Sequence, residues 1–176
     1  FHHHSISAAH AHRALPAVSV LTLYDMTNAF PRVDRGKLMV KLRAMNVDRF
    51  TRRWIRNFLV DRPTRVRVDG VLSHQYFCDA GVPQGTILGS ILWCVYINDL
   101  LFDLDSVPNA TTEAYCDDVA TASHGKTLEE AKATALKVNK VVLEWATNNS
   151  MAVSTKTEVM AMKKGPQTEF DDGSLI

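Results

Sequence analysis

Two adjacent acids, Asp117 and Asp118, interrupt a stretch from Glu113 to Ser123 that otherwise reads as two short strands, and this juncture constrains the fold more than any other feature. Strand-forming residues on both sides of a tight acidic turn predict a hairpin. In an extended chain successive side chains alternate between faces, so one carboxylate would point to each side unless the turn relaxes the alternation. Carboxylates gathered in one place repel one another and are unfavourable unless cations neutralise them. The hairpin therefore predicts an antiparallel pairing and a place where positive charge collects.

The rest of the chain supplies partners for it. Ala17 to Asp25 is rich in Val and Leu without helical spacing and reads as a buried strand that delivers Asp25 at its C-terminal end. Two amphipathic helices are expected from Asp34 to Met45 and from Asp48 to Val60. In the second, Phe50, Trp54, Ile55, Phe58 and Leu59 are predicted to form a core-facing stripe, with Arg49, Arg52, Arg53 and Arg56 opposite. Pro63 closes this unit. Thr64 to Phe77 reads as a hairpin about Asp69-Gly70. Thr86 to Leu104 has helical length, and Thr127 to Asn149 is helical with Thr127 and Glu130 as a capping box. Met151 to Ser154 and Val159 to Met162 are expected strands. This order predicts an α+β fold, an antiparallel sheet backed by helices. Residues 14–163 should form the domain, with a flexible N-terminal segment over 1–13 and a loose tail over 164–176.

With 176 residues, 46% of them hydrophobic, the chain has the means to bury one core. The formal net charge of +1 hides an uneven distribution: Arg32 to Arg67 holds twelve Lys or Arg against three acids. Such a stretch suits a polyanion-binding face, and two solvated helix faces would produce the same composition. The longest apolar run, Ile87 to Ile97, is broken by Gly89 and Ser90 and falls short of the ~18 residues that suggest a membrane span, so no membrane partner is expected. No signal peptide is recognisable. Three cysteines without a CxxC pair favour a reducing compartment, nuclear or cytoplasmic. His2, His3, His4, His10 and His12 enrich the start, which a frayed terminus explains as well as metal binding does.

Asp25, at a strand end, and the Asp117-Asp118 turn together offer hard oxygen ligands. These suit Mg²⁺, which takes one or two carboxylates plus water and substrate phosphates. Phosphoryl or nucleotidyl transfer is the chemistry such a site serves.

Four ordered segments resemble the palm motifs A, B, C and D of reverse transcriptases. They are Tyr24-Asp25-Met26-Thr27-Asn28-Ala29-Phe30, the run GVPQGTILGSILWCVYINDL from Gly81 to Leu100, Tyr115-Cys116-Asp117-Asp118, and Ser154-Thr155-Lys156-Thr157-Glu158. The GVPQG segment followed by YIND is the most specific and points to non-LTR, LINE-type retrotransposons and their group II intron relatives. The resemblance covers about Ala14 to Met162.

What it implies is an RNA-directed DNA polymerase acting on an RNA template, a DNA primer and dNTP, with two Mg²⁺ ions and Mn²⁺ as an alternative. Asp25 and Asp117 would be the principal metal ligands, with Asp118 completing the cluster and the Met26 carbonyl adding a backbone ligand. Ala29, Phe30, Gln84 and Gly85 would lie at the nucleotide, Phe30 excluding a 2′-hydroxyl because an apolar ring offers it no hydrogen bond. Gly81 and Gly85 would let the backbone approach substrate. Lys156 matches a lysine that protonates pyrophosphate, and an exposed loop lysine stands beside that reading. Tyr115 would sit near the primer end, and Arg52, Arg53 and Arg56 would face nucleic acid. Oligomeric state is not read from these residues.

The chain departs from the family at Pro31, where Asp is frequent, and at Ser90, where Pro is frequent. Most of the fingers and the thumb are expected to be missing, so the fragment alone is expected to be weakly active or inactive. Two competitors remain: a non-catalytic remnant that binds RNA or protein, and an RNA-directed RNA polymerase, which Phe30 disfavours.

Overall fold

The computed structural model describes residues 17–163; the segments expected over 1–13 and 164–176, with the histidine-rich start, lie outside the described residues. The chain runs β1 (Val18–Asp25), α1 (Ala29–Arg32), α2 (Arg35–Ala44), α3 (Arg49–Leu59), β2 (Pro63–Thr64), β3 (Arg67–Val68), β4 (Val71–Leu72), β5 (Tyr76–Phe77), α4 (Ile87–Asp105), β6 (Ala110–Tyr115), β7 (Asp118–Gly125), α5 (Leu128–Asn148) and β8 (Glu158–Lys163). Four strands make an antiparallel sheet in the order β6-β7-β1-β8. The expected α+β class holds.

Alternation along β1 and β7 decides which face the helices cover. Val18, Val20, Thr22 and Tyr24 are buried on β1, as are Val119, Thr121 and Ser123 on β7, on the face covered by α5, with α4 packed beside it along β6. The intervening residues, among them Leu23 and Asp25 on β1 and Asp118 on β7, lie on the opposite, more open face. Helix starts follow the sequence signals. Asp34 accepts from the Lys37 N–H, Asp48 from those of Phe50 and Thr51, and Thr86 from that of Gly89. Thr127 accepts from the Glu130 N–H as the capping box predicts, and the Glu130 carboxylate reaches back to the N–H of Lys126, one residue further than expected.

Three expectations need correction. In α3 only Ile55 and Leu59 of the predicted stripe are buried; Phe50 is 81% exposed and Trp54 55%. The helix packs on α2 through a narrow ridge that leaves Phe50 and Trp54 uncovered, while Phe58 is half-buried against the core. Met151 to Ser154 forms a single bridge, Val153 to Met26, rather than a strand. Finally, α4 forms where the helix over Thr86 to Leu104 is expected, but at 19 residues it is long and apolar enough to cross a membrane, which the interrupted run Ile87 to Ile97 did not suggest. Its Leu92, Trp93, Tyr96, Leu100 and Leu104 are all buried among the core side chains, which makes it the core helix of this fold.

Polar contacts clasp α2, α4 and α5 at one end of that core. The Lys41 ammonium lies 2.7 Å from the Asp99 carboxylate, donates to the Tyr96 carbonyl at 2.6 Å and sits 4.5 Å from the Tyr96 ring centroid. Trp145 donates its indole N–H to the same carboxylate at 2.8 Å, and the Tyr96 hydroxyl donates to the Asn149 carbonyl at 2.6 Å. Burial pushes the Tyr96 phenol up to about 12, and that of Tyr24 likewise to about 12. Between the ordinary value near 10 and that figure, the unfolded chain releases protons that the folded chain keeps. Stability must therefore fall as pH rises through this window, by on the order of 2 kcal/mol per tyrosine. Lys41, whose ammonium burial makes easier to deprotonate, opposes the trend. Urea melts should show a plateau up to about pH 10 and a decline beyond it; a flat profile through that range would contradict the burial of these phenols.

Candidate active site

Asp25 ends β1, and its Cα partner across the antiparallel ladder is Asp118, the first residue of β7. Residues directly opposite in such a pair share a face and stand ~4.5–5.5 Å apart at Cα. Two carboxylates are thus held side by side by backbone register, an arrangement that destabilises a sheet unless something positive lies between them. Both line an open pocket of ≈ 720 Å³ with Tyr115, Lys156, Glu113 and Glu158. Glu113 and Glu158 were not anticipated from sequence. They follow from register, since Glu113 pairs with Ala120 and Glu158 with Leu23, which places them on the same open face.

Asp117 occupies the turn itself, half-buried, and does not line that pocket. Tyr115 pairs with Asp118, so Cys116 and Asp117 form a two-residue loop. Cys116 adopts φ 57°, a region that costs a non-glycine residue roughly 1–3 kcal/mol and persists only where neighbours enforce it. One such neighbour is Trp93, whose indole N–H donates to the Cys116 carbonyl at 2.7 Å. Partial burial first, and then the adjacent Asp117 carboxylate, push the Cys116 thiol up, which disfavours its thiolate form.

The other three segments converge on the chain just after Asp25. The Ser154 N–H donates to the Asp25 carbonyl at 2.8 Å and the Thr27 N–H to the Ala152 carbonyl at 2.9 Å, which seats the loop bearing Lys156 beside β1. Gly81 N–H donates to the Val33 carbonyl and Val82 N–H to that of Phe30, both at 2.9 Å. Arg35 then holds the approach to this loop, donating to the carbonyls of Cys78, Ala80 and Gly81 at 2.7, 2.7 and 3.0 Å.

Individual candidates sit as follows. Gln84 and Gly85 are exposed at the loop tip, and Tyr115 is 84% exposed. Lys156 is exposed, while Met26 and Ala29 are buried. Phe30 is 5% exposed and stacks on Trp93 with ring centroids 5.7 Å apart, a core environment. Arg53 and Arg56 are exposed, and Arg52 is half-buried with its Nε enclosed. Gly81 does not face open space: a Cβ there would meet the Pro31 carbonyl oxygen at 2.6 Å, so its close approach is to the chain itself. Sequence reasoning missed Trp93, which ties the Phe30 segment, α4 and the acidic turn together. It also missed Arg35 as a loop holder, having counted it among polyanion-facing cations.

A family profile described as "Reverse transcriptase (RNA-dependent DNA polymerase)" matches residues 1–170. The chain belongs to the reverse transcriptase family. This reverse transcriptase chain is 34% identical over 85 residues to the "Retrovirus-related Pol polyprotein from type-1 retrotransposable element R1" of Nasonia vitripennis, covering 48% of this chain and 25% of that protein. Against the "RNA-directed DNA polymerase from mobile element jockey" of Drosophila melanogaster it is 26% identical over 137 residues, covering 75% and 15%. It thus spans a quarter or less of the length of these relatives. These matches agree with a LINE-type element. Among solved structures, apo telomerase from Candida tropicalis superposes with a TM-score of 0.64 at 14% identity over 93% of this chain and 34% of that one. Telomerase from Candida albicans, solved with a fragment of telomeric RNA, gives 0.63 at 15% identity over 93% and 29%. At such identities the likeness speaks for the fold.

Reverse transcriptases generally use divalent metals. Among the described residues no three His, Cys, Asp or Glu side chains converge closely enough to cage an ion. Magnesium does not need such a cage, because it keeps waters and shares its shell between one or two carboxylates and substrate phosphates. The opposed carboxylates of Asp25 and Asp118, hard oxygen donors on an open face, fit that mode of binding.

Proposed function

We propose that this chain is the catalytic palm of an RNA-directed DNA polymerase of a non-LTR retrotransposon, which transfers nucleotides from dNTP to a DNA primer 3′-hydroxyl on an RNA template. The observation that supports it most is the register of β1 against β7, which sets Asp25 opposite Asp118 on the open sheet face. Like charges placed directly opposite one another destabilise a sheet, and a site for cations accounts for the pairing.

Asp25 and Asp118, with Asp117 in the turn and the Met26 carbonyl, would hold two Mg²⁺ ions, Mn²⁺ being an alternative. When bound, the ions supply a lowered pKa at the primer 3′-hydroxyl and charge stabilisation at the leaving pyrophosphate. Tyr115 lies against the primer end, while Gln84 and Gly85 position the nucleotide from the loop that Arg35 holds. Phe30, braced by Trp93, presents an apolar edge under the sugar and excludes the 2′-hydroxyl. Lys156, lining the same pocket, delivers a proton to pyrophosphate. A nuclear or cytoplasmic setting belongs to this reading.

Primer extension on an RNA template, with the metal titrated and dNTP exchanged for NTP, tests it. Extension should need the metal and prefer dNTP. Nucleic-acid binding without extension at every metal concentration would reduce the chain to a binding remnant, and a preference for NTP would point to an RNA-directed RNA polymerase.

A further inference from the structure

The basic segment from Arg32 to Arg67 is not uniformly available for a polyanion. Arg35 and Arg62 are committed to carbonyls of the loop ahead of α4, Lys37 to the Asn148 carbonyl, and Lys41 to Asp99. The outward face of α3 is different. Exposed Phe50 and Trp54 follow one another at i and i+4, with half-buried Phe58 behind them at i+8, and Arg49, Arg53 and Arg56 run at i, i+4 and i+7, so a short aromatic row lies beside a cationic row. The Trp54 and Phe58 rings are stacked, with centroids 6.1 Å apart and an interplanar angle of 15°. No acid occurs within α3, and the Asp48 carboxylate at its start is taken up by the N–H groups of Phe50 and Thr51.

We infer that this face of α3 is a second docking site, for single-stranded RNA, separate from the acidic pocket, which no α3 residue lines. Unstacked bases lie on Phe50 and Trp54, and the phosphates between them meet Arg49, Arg53 and Arg56. Charge complementarity selects this occupant. A protein surface would have to bring a matching row of acids along with an apolar strip, whereas single-stranded RNA carries a phosphate and a π-face at every step. The inference rests on the template reading above for the nature of the polyanion, and its site is independent of the carboxylates.

The three tryptophans make the test direct. Trp93 and Trp145 are buried at 0% and 5% exposure, so Trp54 is the one exposed indole among them. Titrating the chain with an oligoadenylate of about ten nucleotides should quench tryptophan emission in step with binding followed by anisotropy of a labelled oligonucleotide. Trp54→Leu should weaken binding about tenfold, Trp54→Phe should largely retain it, and Arg53→Ala with Arg56→Ala should lower the salt slope by roughly 1.4. If Trp54→Leu also lowers the melting temperature, the arginine pair and the wild-type quench carry the test. Binding without any change in Trp54 emission, or a Trp54 already shielded from acrylamide in the free chain because protein covers it, would overturn the inference. Extension that proceeds while Trp54 stays silent removes this site alone; a quenched Trp54 without extension removes the polymerase reading alone.

Discussion

In a chain carrying Asp25→Asn, primer extension is expected to fall by at least a factor of about 100, while the metal-free protein melts above the wild type. The two effects share one cause. Asp25 stands directly across the ladder from Asp118, and like charges so placed cost on the order of 0.2–1 kcal/mol. Removing one relieves that cost, which in a domain of this size raises the melting temperature by roughly 1–4 °C. The same change removes the hard anionic ligand proposed at this position, which asparagine replaces poorly, and charge stabilisation by bound metal is worth several kcal/mol in transfer reactions. Mg²⁺ should accordingly stabilise the wild type against heat and do little for the variant.

The neighbouring acids separate two ways of building the site. Asp118→Asn should reproduce the stabilisation, because it removes the other member of the opposed pair, whereas Asp117→Asn should not, since Asp117 lies in the turn and away from the pocket. Extension should suffer in both. A set of melts in which none of the three variants gains stability without metal would mean that the repulsion inferred from register is absent, and unimpaired extension by Asp25→Asn would end the polymerase reading.

Where the sequence was legible, local signals and tertiary demands agreed. The run ending in Asp25, the acidic hairpin and the capped helices α2, α3 and α5 are each specified by their own residues, through strand alternation, turn chemistry and N-caps. The exposure of Phe50 and Trp54 was not legible, because periodicity places aromatics on one stripe but does not say how wide a ridge the neighbouring helix covers. Nor does spacing reveal that Asp25 faces Asp118 rather than Asp117. That is a matter of ladder register, and a one-residue slip would reverse it. The roles of Trp93, Arg35 and Lys41 lie in contacts between segments distant in sequence, for which a lone tryptophan or arginine carries no local sign.

The junction between the Phe30 segment and the loop ahead of α4 gives the second large effect, and it is a contrast between two glycines. Gly81→Ala is expected to destabilise by about 3 kcal/mol, with a melting temperature lower by roughly 6–12 °C, and to abolish extension at assay temperature. Gly81 has φ 75°, and its added Cβ would lie 2.6 Å from the Pro31 carbonyl oxygen and 2.7 Å from the Pro31 Cα. Both obstacles are backbone, fixed by the Gly81-to-Val33 and Val82-to-Phe30 hydrogen bonds, and Pro31 has little freedom to turn away. Strain at positive φ and overpacking therefore add. Gly85→Ala shares the first penalty, at φ 79°, but nothing lies within 4 Å of its Cβ, so it should cost only about 1–2 kcal/mol. Melts of the two variants side by side check the packing: equal losses would mean that the loop does not seat on Pro31, and the link that holds the Gln84 loop in place would have to be sought elsewhere.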